Sequence, residues 1–206
     1  MNSCHFNLEE GIKLINFARK NIEHYLKNKI PMPISEELKE KFKEKYGAFV
    51  TINKKQGEQK ILRGCVGIPV PIYSLIEVIS KVSLSSAFED PRFPPIQNLD
   101  KYILEISILT PPKLIEVNSH SEYFDKIKIG RDGLIIETPI ARGLLLPQVP
   151  IENNRNWNVK TFLEHLCLKT GLPTSAWKDK NSKIYSFQAI IIEEQTPNGS
   201  IIIKEN

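Results

Sequence analysis

Arg63 and Cys65 stand two residues apart in Ile61-Leu62-Arg63-Gly64-Cys65-Val66-Gly67-Ile68-Pro69, and this stretch is the best candidate for chemistry in the chain. It reads as a β-strand. Side chains alternate across a strand, so Leu62, Val66 and Ile68 are expected on one face. Arg63 and Cys65 fall on the other, with Gly67 beside them. A fixed positive charge near a thiol favours the thiolate, which is the reactive form. Gly64 and Gly67 leave bare backbone that a ligand or another strand can approach closely. A plainer reading stands beside this one: Cys65 is a small buried hydrophobe and the glycines mark a bulge.

A second group follows in Ala87-Phe88-Glu89-Asp90-Pro91-Arg92-Phe93-Pro94-Pro95. Either Arg92 pairs with Glu89 or Asp90 and braces a stiff loop, or one carboxylate faces Cys65 as a general base. Glu105 would neutralise Arg63 if their strands pair, which cancels the charge that helps the thiol. None of His5, His24, His120 and His165 has a signature placement. Cys4-His5 is too little for zinc, which usually takes four ligands. Gly130-Arg131-Asp132-Gly133 lacks the Lys-Ser/Thr and helix of a phosphate loop. No cofactor or metal set is legible.

The elements that position these residues follow from periodicity. Asn7 with Glu10 resembles a capping box, and Leu8 through Leu26 recur at helical spacing, so residues 8–28 read as a helix. Ser35 starts a short helix over about 36–45. Ala48–Ile52 and Ile61–Ile68 read as strands joined by a polar connection into a hairpin. A helix follows through about 87, then a strand Tyr102–Leu109, ended by Thr110-Pro111-Pro112. Beyond that crossing, Ile127–Ile129 and Leu134–Glu137 flank a turn as a second hairpin, and Ala141–Leu146 is a further strand. Asn158 caps a helix over about 159–170, stopped by Gly171. Lys183–Glu193 alternates as one strand and Thr196–Ser200 turns it into Ile201–Ile203. Trp157 and Trp177 bracket the last helix as packing residues. The elements mix helices with hairpins without strict βαβ alternation, which predicts an α+β chain of mainly antiparallel sheets. The expected organisation is a larger domain, 1–112 plus 183–206, with a smaller α+β unit, 113–182, inserted.

Length and composition bound the function. The chain has 206 residues, 41% of them hydrophobic, enough for a real core. The 28 basic and 24 acidic residues are intermixed, and a net charge of +4 without a basic stripe or known motif ranks nucleic acid last. Three cysteines in a chain of this length point to reduced thiols and a cytoplasmic setting. No signal peptide is expected at the N-terminus. No apolar run reaches the length of a membrane span. Abundant isoleucine and lysine suit a thermophilic source.

Leu62-Arg63-Gly64-Cys65-Val66-Gly67 resembles the signature of the AMMECR domain family, named for the Alport syndrome, midface hypoplasia, intellectual disability and elliptocytosis chromosomal region. Ala87–Pro95 and Gly143-Leu144-Leu145-Leu146-Pro147-Gln148-Val149, running on to Trp157 and Cys167, fit the same family in the same order. The resemblance spans nearly the whole chain and is of the archaeal type. Two departures are visible. Val66 and Pro69 stand where other hydrophobes are usual, and the segment Pro150–Trp157 is longer and more polar, with Glu152 and Trp157 retained.

The resemblance implies a two-part α+β body with the Arg63–Cys65 stretch in a cleft between the parts. It brings no settled reaction. Three functions remain open. In an enzyme, Cys65 would be nucleophile or redox thiol, Arg63 would lower its pKa or grip an anionic substrate, and Glu89 or Asp90 would be the base. Backbone N–H groups around Gly64 to Gly67 would stabilise an oxyanion. In a binding or adaptor protein, Arg63, Arg92, Gly64, Gly67 and Gln148 would hold an anionic ligand or a partner's tail. The family occurs beside Memo-type and radical-SAM proteins, which makes these the expected partners. Nucleic-acid binding comes last. The sequence does not fix the oligomeric state.

Overall fold

The computed structural model describes residues 6–57, 59–151 and 155–205; Cys4, His5 and Glu152, named above, lie outside them. In chain order the elements are α1 Leu8–Asn28, α2 Glu36–Lys41, β1 Gly47–Gln56, β2 Gln59–Ile68, α3 Leu75–Phe88, β3 Tyr102–Leu109, β4 Lys113–Leu114, α4 Glu122–Lys126, β5 Gly133–Glu137, β6 Arg142–Leu145, α5 Val159–Lys169, β7 Lys183–Phe187, β8 Ala189–Glu194 and β9 Ile201–Glu205. The fold is α+β with two sheets. Two compact units divide the chain: the segment ending at Leu109 together with Ile190–Glu205, and Thr110–Ala189.

In the first unit the sheet runs β2-β1-β3-β8-β9. Asn7 and Glu10 start α1 reciprocally: Asn7 Oδ1 accepts from the Glu10 N–H at 2.9 Å, and Glu10 Oε2 from the Asn7 N–H at 3.1 Å. This satisfies two helix donors that would otherwise lack partners. One face of α1 carries Leu14, Ile15, Ala18 and Ile22 into a core with α3 and with Val50, Ile52, Leu104 and Ile106 of the sheet. Each fully buried aliphatic side chain of this kind contributes roughly 1.5–3 kcal/mol. Arg19, also on α1, is buried against Glu194 of β8 at 2.5 Å.

The first hairpin is longer than the polar sequence of residues 53–60 suggests. β1 and β2 pair through Gln56↔Gln59, so only a two-residue connection remains. Gly57 enters it with φ +60°, a left-handed conformation that glycine adopts without strain. Lys54, Lys55 and Lys60 are strand residues whose polarity reflects exposure rather than a loop.

The second unit has the sheet β4-β7-β5-β6. Asn158 Oδ1 accepts from the Thr161 N–H at 2.9 Å to start α5, and Gly171 leaves the helix with φ +74°. Phe162, Leu163, Leu166 and Cys167 of α5 pack on Leu134, Ile136 and Ile184.

Two expectations are corrected here. Lys183–Glu193 is not one strand but two, β7 and β8, in different sheets. The break is at Gln188, whose backbone turns aside to bond Thr110 twice, both contacts at 2.8 Å. Ile127–Ile129 is not a strand. The Asp132 carboxylate accepts from the Lys128 N–H at 2.8 Å and closes a turn there, so β5 pairs with β6 and β7 instead.

Candidate functional site

β2 is an outer strand, and its pairing with β1 slips by one residue. Ile52 faces Gly64 while Asn53 faces Leu62, so Arg63 is the extra residue of a bulge. A bulge breaks the alternation and re-aims the side chain it carries. Leu62 therefore shares the face of Asn53, not that of Val66, and Arg63 is not a face-mate of Cys65. The Arg63 guanidinium turns to the Pro94 carbonyl, to which Nη2 donates. It also lies 5.6 Å from the Phe93 ring centre and 6.0 Å from that of Tyr102.

Cys65 stands opposite Thr51 of β1, and Thr51 stands opposite Glu105 of β3, so the three form one row across the sheet. Burial pushes the Cys65 thiol above its ordinary value. The Thr51 hydroxyl, donating to Sγ over 3.3 Å, and the Arg92 charge offset only part of this, and Glu105 and Asp90 add to the rise. Arg63 therefore does not supply the activating charge expected of it: its guanidinium is turned to the Pro94 carbonyl, and burial pushes the thiol up rather than down. Burial also raises the Glu105 carboxyl against the pull of Lys60. At neighbouring Glu193 burial works in the same direction, but hydrogen bonds from Lys60 and Lys204 win and hold it ionised.

Asp90 and Arg92 grip the backbone of Cys65. Asp90 Oδ2 accepts from the Cys65 N–H at 2.8 Å, and Arg92 Nη2 donates to the Cys65 carbonyl at 3.2 Å. Arg92 also binds Asp90 through Nε at 2.9 Å and Nη2 at 2.7 Å. Hydrogen bonds from Arg92, with help from the Cys65 N–H, hold the Asp90 carboxyl far below the usual range. A carboxylate so saturated is a poor proton acceptor. Glu89, the alternative base, is exposed and accepts from its own helix, at 2.6 Å from Ser85 Oγ. Of the two loop readings, the brace is the one present.

The glycines serve packing. A Cβ on Gly64 would overlap the Ser86 carbonyl of α3, and one on Gly67 would overlap the Phe49 ring. Both positions are close approaches that need glycine, whatever else meets the backbone there. Ser86 adds a cross-link: its hydroxyl accepts from the Val66 N–H at 2.9 Å and donates to the Val50 carbonyl at 2.7 Å. Gln148 lies in the second unit, after β6, and its buried Oε1 has no partner among the described residues.

Arg63, at the bulge, lines a hollow of about 540 Å³ with Lys54, Lys101, Tyr102 and the loop Pro94–Asn98. Lys54 lies opposite Tyr102 in the β1–β3 register, which brings its charge to the same end of the sheet. No carboxylate lines the hollow, and among the described residues none pairs with Lys54, Arg63 or Lys101. Sequence spacing could not reveal this group, because the three cations come from three separate segments. The one local sign was Gly64 directly after Arg63, in a stretch that reads as plain strand alternation. Among the described residues no cluster of three His, Cys, Asp or Glu could hold a metal ion, and no helix is long and apolar enough to cross a membrane.

The AMMECR1 family model matches residues 15–192, most of the chain. The chain belongs to the AMMECR1 family. Among members of the family, protein MJ0810 of Methanocaldococcus jannaschii is 50% identical over 200 residues, covering 96% of each chain. Protein PH0010 of Pyrococcus horikoshii is 45% identical over 196 residues, covering 94% of each. The crystal structure of PH0010 superposes with a TM-score of 0.85 at 43% identity, over 98% of this chain and 99% of that one. The archaeal, α+β character expected of an AMMECR1 member therefore holds.

Proposed function

We propose that this AMMECR1-family protein binds a small organic anion in the Arg63 hollow, and that Cys65 supports the strand rather than reacting. One observation carries the reading. Three cations, Lys54, Arg63 and Lys101, converge on a hollow that no carboxylate lines. Its size falls in the usual range for small-molecule sites, about 300–1,000 Å³, and exceeds what a bare ion needs. Arg63 presents its remaining donors as a planar fork suited to carboxylate or phosphate, while Tyr102 and the Pro94-Pro95 edge offer apolar surface. Asp90, Arg92 and Ser86 hold the strand that carries Arg63.

Calorimetric titration with phenyl phosphate and with inorganic phosphate tests this. Phenyl phosphate should bind saturably and more tightly than phosphate. Arg63→Gln should weaken it roughly 10–100-fold, the range for a lost hydrogen bond to a charged group. Cys65→Ala should leave it unchanged. No saturable binding, or binding indifferent to Arg63→Gln, sinks the proposal.

A second reading keeps chemistry at Cys65. The Cys65–Thr51–Glu105 row favours it, because Glu105 is raised by burial and faces the same side of the sheet. In that version Glu105, not Glu89 or Asp90, is the base. A Memo-type or radical-SAM partner belongs to the adaptor version, in which a partner's acidic tail takes the place of the small anion. Competition by phenyl phosphate distinguishes the two occupants.

A further inference from the structure

Within the second unit, β4 pairs with β7 for only two residues, and the Ile115 N–H adds one bond to the Ile184 carbonyl at 2.8 Å. The chain then leaves the sheet for α4. Between this departing segment and the 3₁₀ turn Ala176–Lys178 lies a hollow of about 520 Å³. We propose that this hollow is a second binding site, for a small aromatic monocarboxylate.

Its walls include Leu114, Ile115, Val117 and Ile184, with Tyr123 and Trp177. Trp177 is only 2% exposed, yet its Nε1 has no hydrogen-bond partner among the described residues. Buried polar groups are nearly always partnered, and a lone buried donor is unfavourable. An acceptor delivered by a ligand removes that deficit. Tyr123 and His120 meet Trp177 edge to face, with ring centres 6.0 and 5.9 Å away. Both also line the hollow, and aromatic edges of this kind favour an aromatic guest.

The charge selects an anion. Lys180 and Lys183 line the hollow, and neither has a carboxylate partner among the described residues. Asp179 is the one acid in the lining, and its Oδ1 is occupied by the Asn181 N–H at 2.8 Å. Apolar and aromatic side chains on one part of the lining, with Asn118, Ser119, Ser182 and the two lysines against a single acid on the rest, suit one negative charge on a hydrophobic body better than a dianion. The Arg63 hollow differs in its charge, with three cations and no acid in its lining. The two sites share no residue.

The test uses the full chain with Trp157→Phe, which leaves Trp177 as the only indole. Titration with 3-phenylpropionate should change Trp177 emission saturably. The neutral 3-phenylpropionamide should bind at least about fivefold more weakly. Lys183→Gln should remove that preference. Trp177→Phe keeps a ring and deletes the donor, so calorimetry should show weakening of roughly tenfold. No saturable change up to about 10 mM, where even a millimolar site fills, overturns the proposal. So does equal affinity for acid and amide. Should Trp177→Phe fail to fold, Lys183→Gln still decides. Unweakened binding in a folded Trp177→Phe protein would mean that the indole N–H rests on a neighbouring ring face, and would also overturn the site.

Discussion

Asp90 accepts a hydrogen bond from the backbone N–H of Cys65 at 2.8 Å, and that contact, not a thiol–base pair, joins the two signature stretches. Cys65 lies on an outer strand, where a backbone donor has no further strand to meet. The loop supplies the missing partner. Arg92 completes the clamp by binding both Asp90 and the Cys65 carbonyl.

Asp90→Asn should therefore destabilise the protein without touching chemistry. The side chain is 3% exposed, and its loss strands the Arg92 charge. A cost of about 2–4 kcal/mol is expected, below the fully buried case because Arg92 is half exposed. The pH dependence has a definite sign. The folded-state pKa lies below the ordinary value of 3.8, so the contribution is complete above that value. It is lost as pH falls from there toward the folded-state pKa. Urea midpoints at pH 7 and pH 2.5 check this: the gap between wild type and Asp90→Asn should shrink at the lower pH. A constant gap would mean that the carboxylate's charge is not what stabilises the clamp.

Cys65 should alkylate slowly at neutral pH. With Cys4→Ser and Cys167→Ala in place, the iodoacetamide rate should keep climbing past the ordinary thiol value of 9.0, with no plateau below it. Arg63→Gln should leave the profile where it is, since the guanidinium is turned to Pro94. Arg92→Gln should move it further up, because Arg92 is the cation that favours the thiolate. A plateau near neutrality in the wild type would restore the nucleophile and the Glu105 reading with it.

Gly64→Ala and Gly67→Ala should both destabilise, and unequally. The first drives a methyl into the Ser86 backbone carbonyl, which cannot move without shifting α3. The second meets the Phe49 ring, a side chain able to turn. Overpacking of this kind costs roughly 1–3 kcal/mol, with Gly64→Ala at the upper end. Thermal unfolding of the two variants ranks them. A milder effect at Gly64 than at Gly67 would contradict the packing account.

The longer helices and the first hairpin were legible where the signal is local. Asn7 with Glu10 marks α1, Asn158 marks α5, and the alternation through Ile108 gives β3 at its observed bounds. The bulge at Arg63 was not legible, because a one-residue slip depends on the partner strand and leaves no trace in the stretch itself. That slip is what separates Arg63 from Cys65. The break at Gln188 was hidden for a similar reason: its alternation is unbroken, and only the bonds to Thr110 end β7. Of the candidate site, the residues were visible and their partners were not. Glu89 and Asp90 look equivalent in sequence, yet one is exposed and the other saturated.

Arg19 and Glu194 lay outside every motif, and they make a buried ion pair in the first unit. The pair is 6% and 2% exposed at 2.5 Å. Arg19 also donates to the Tyr102 carbonyl at 2.8 Å, and Glu194 Oε2 accepts from the Leu104 N–H at 2.8 Å. The pair thus ties α1 to β3 and β8, beneath the Tyr102 end that lines the Arg63 hollow. Arg19→Met should cost about 3–5 kcal/mol, because it leaves Glu194 buried without its cation. Adding Glu194→Leu should recover part of that loss but not all, since the Leu104 N–H is then orphaned at roughly 1–3 kcal/mol. A double-mutant cycle by urea unfolding measures the coupling. Strict additivity would show that the two charges are solvated independently, and that the α1–β8 contact does not hold the Tyr102 end in place.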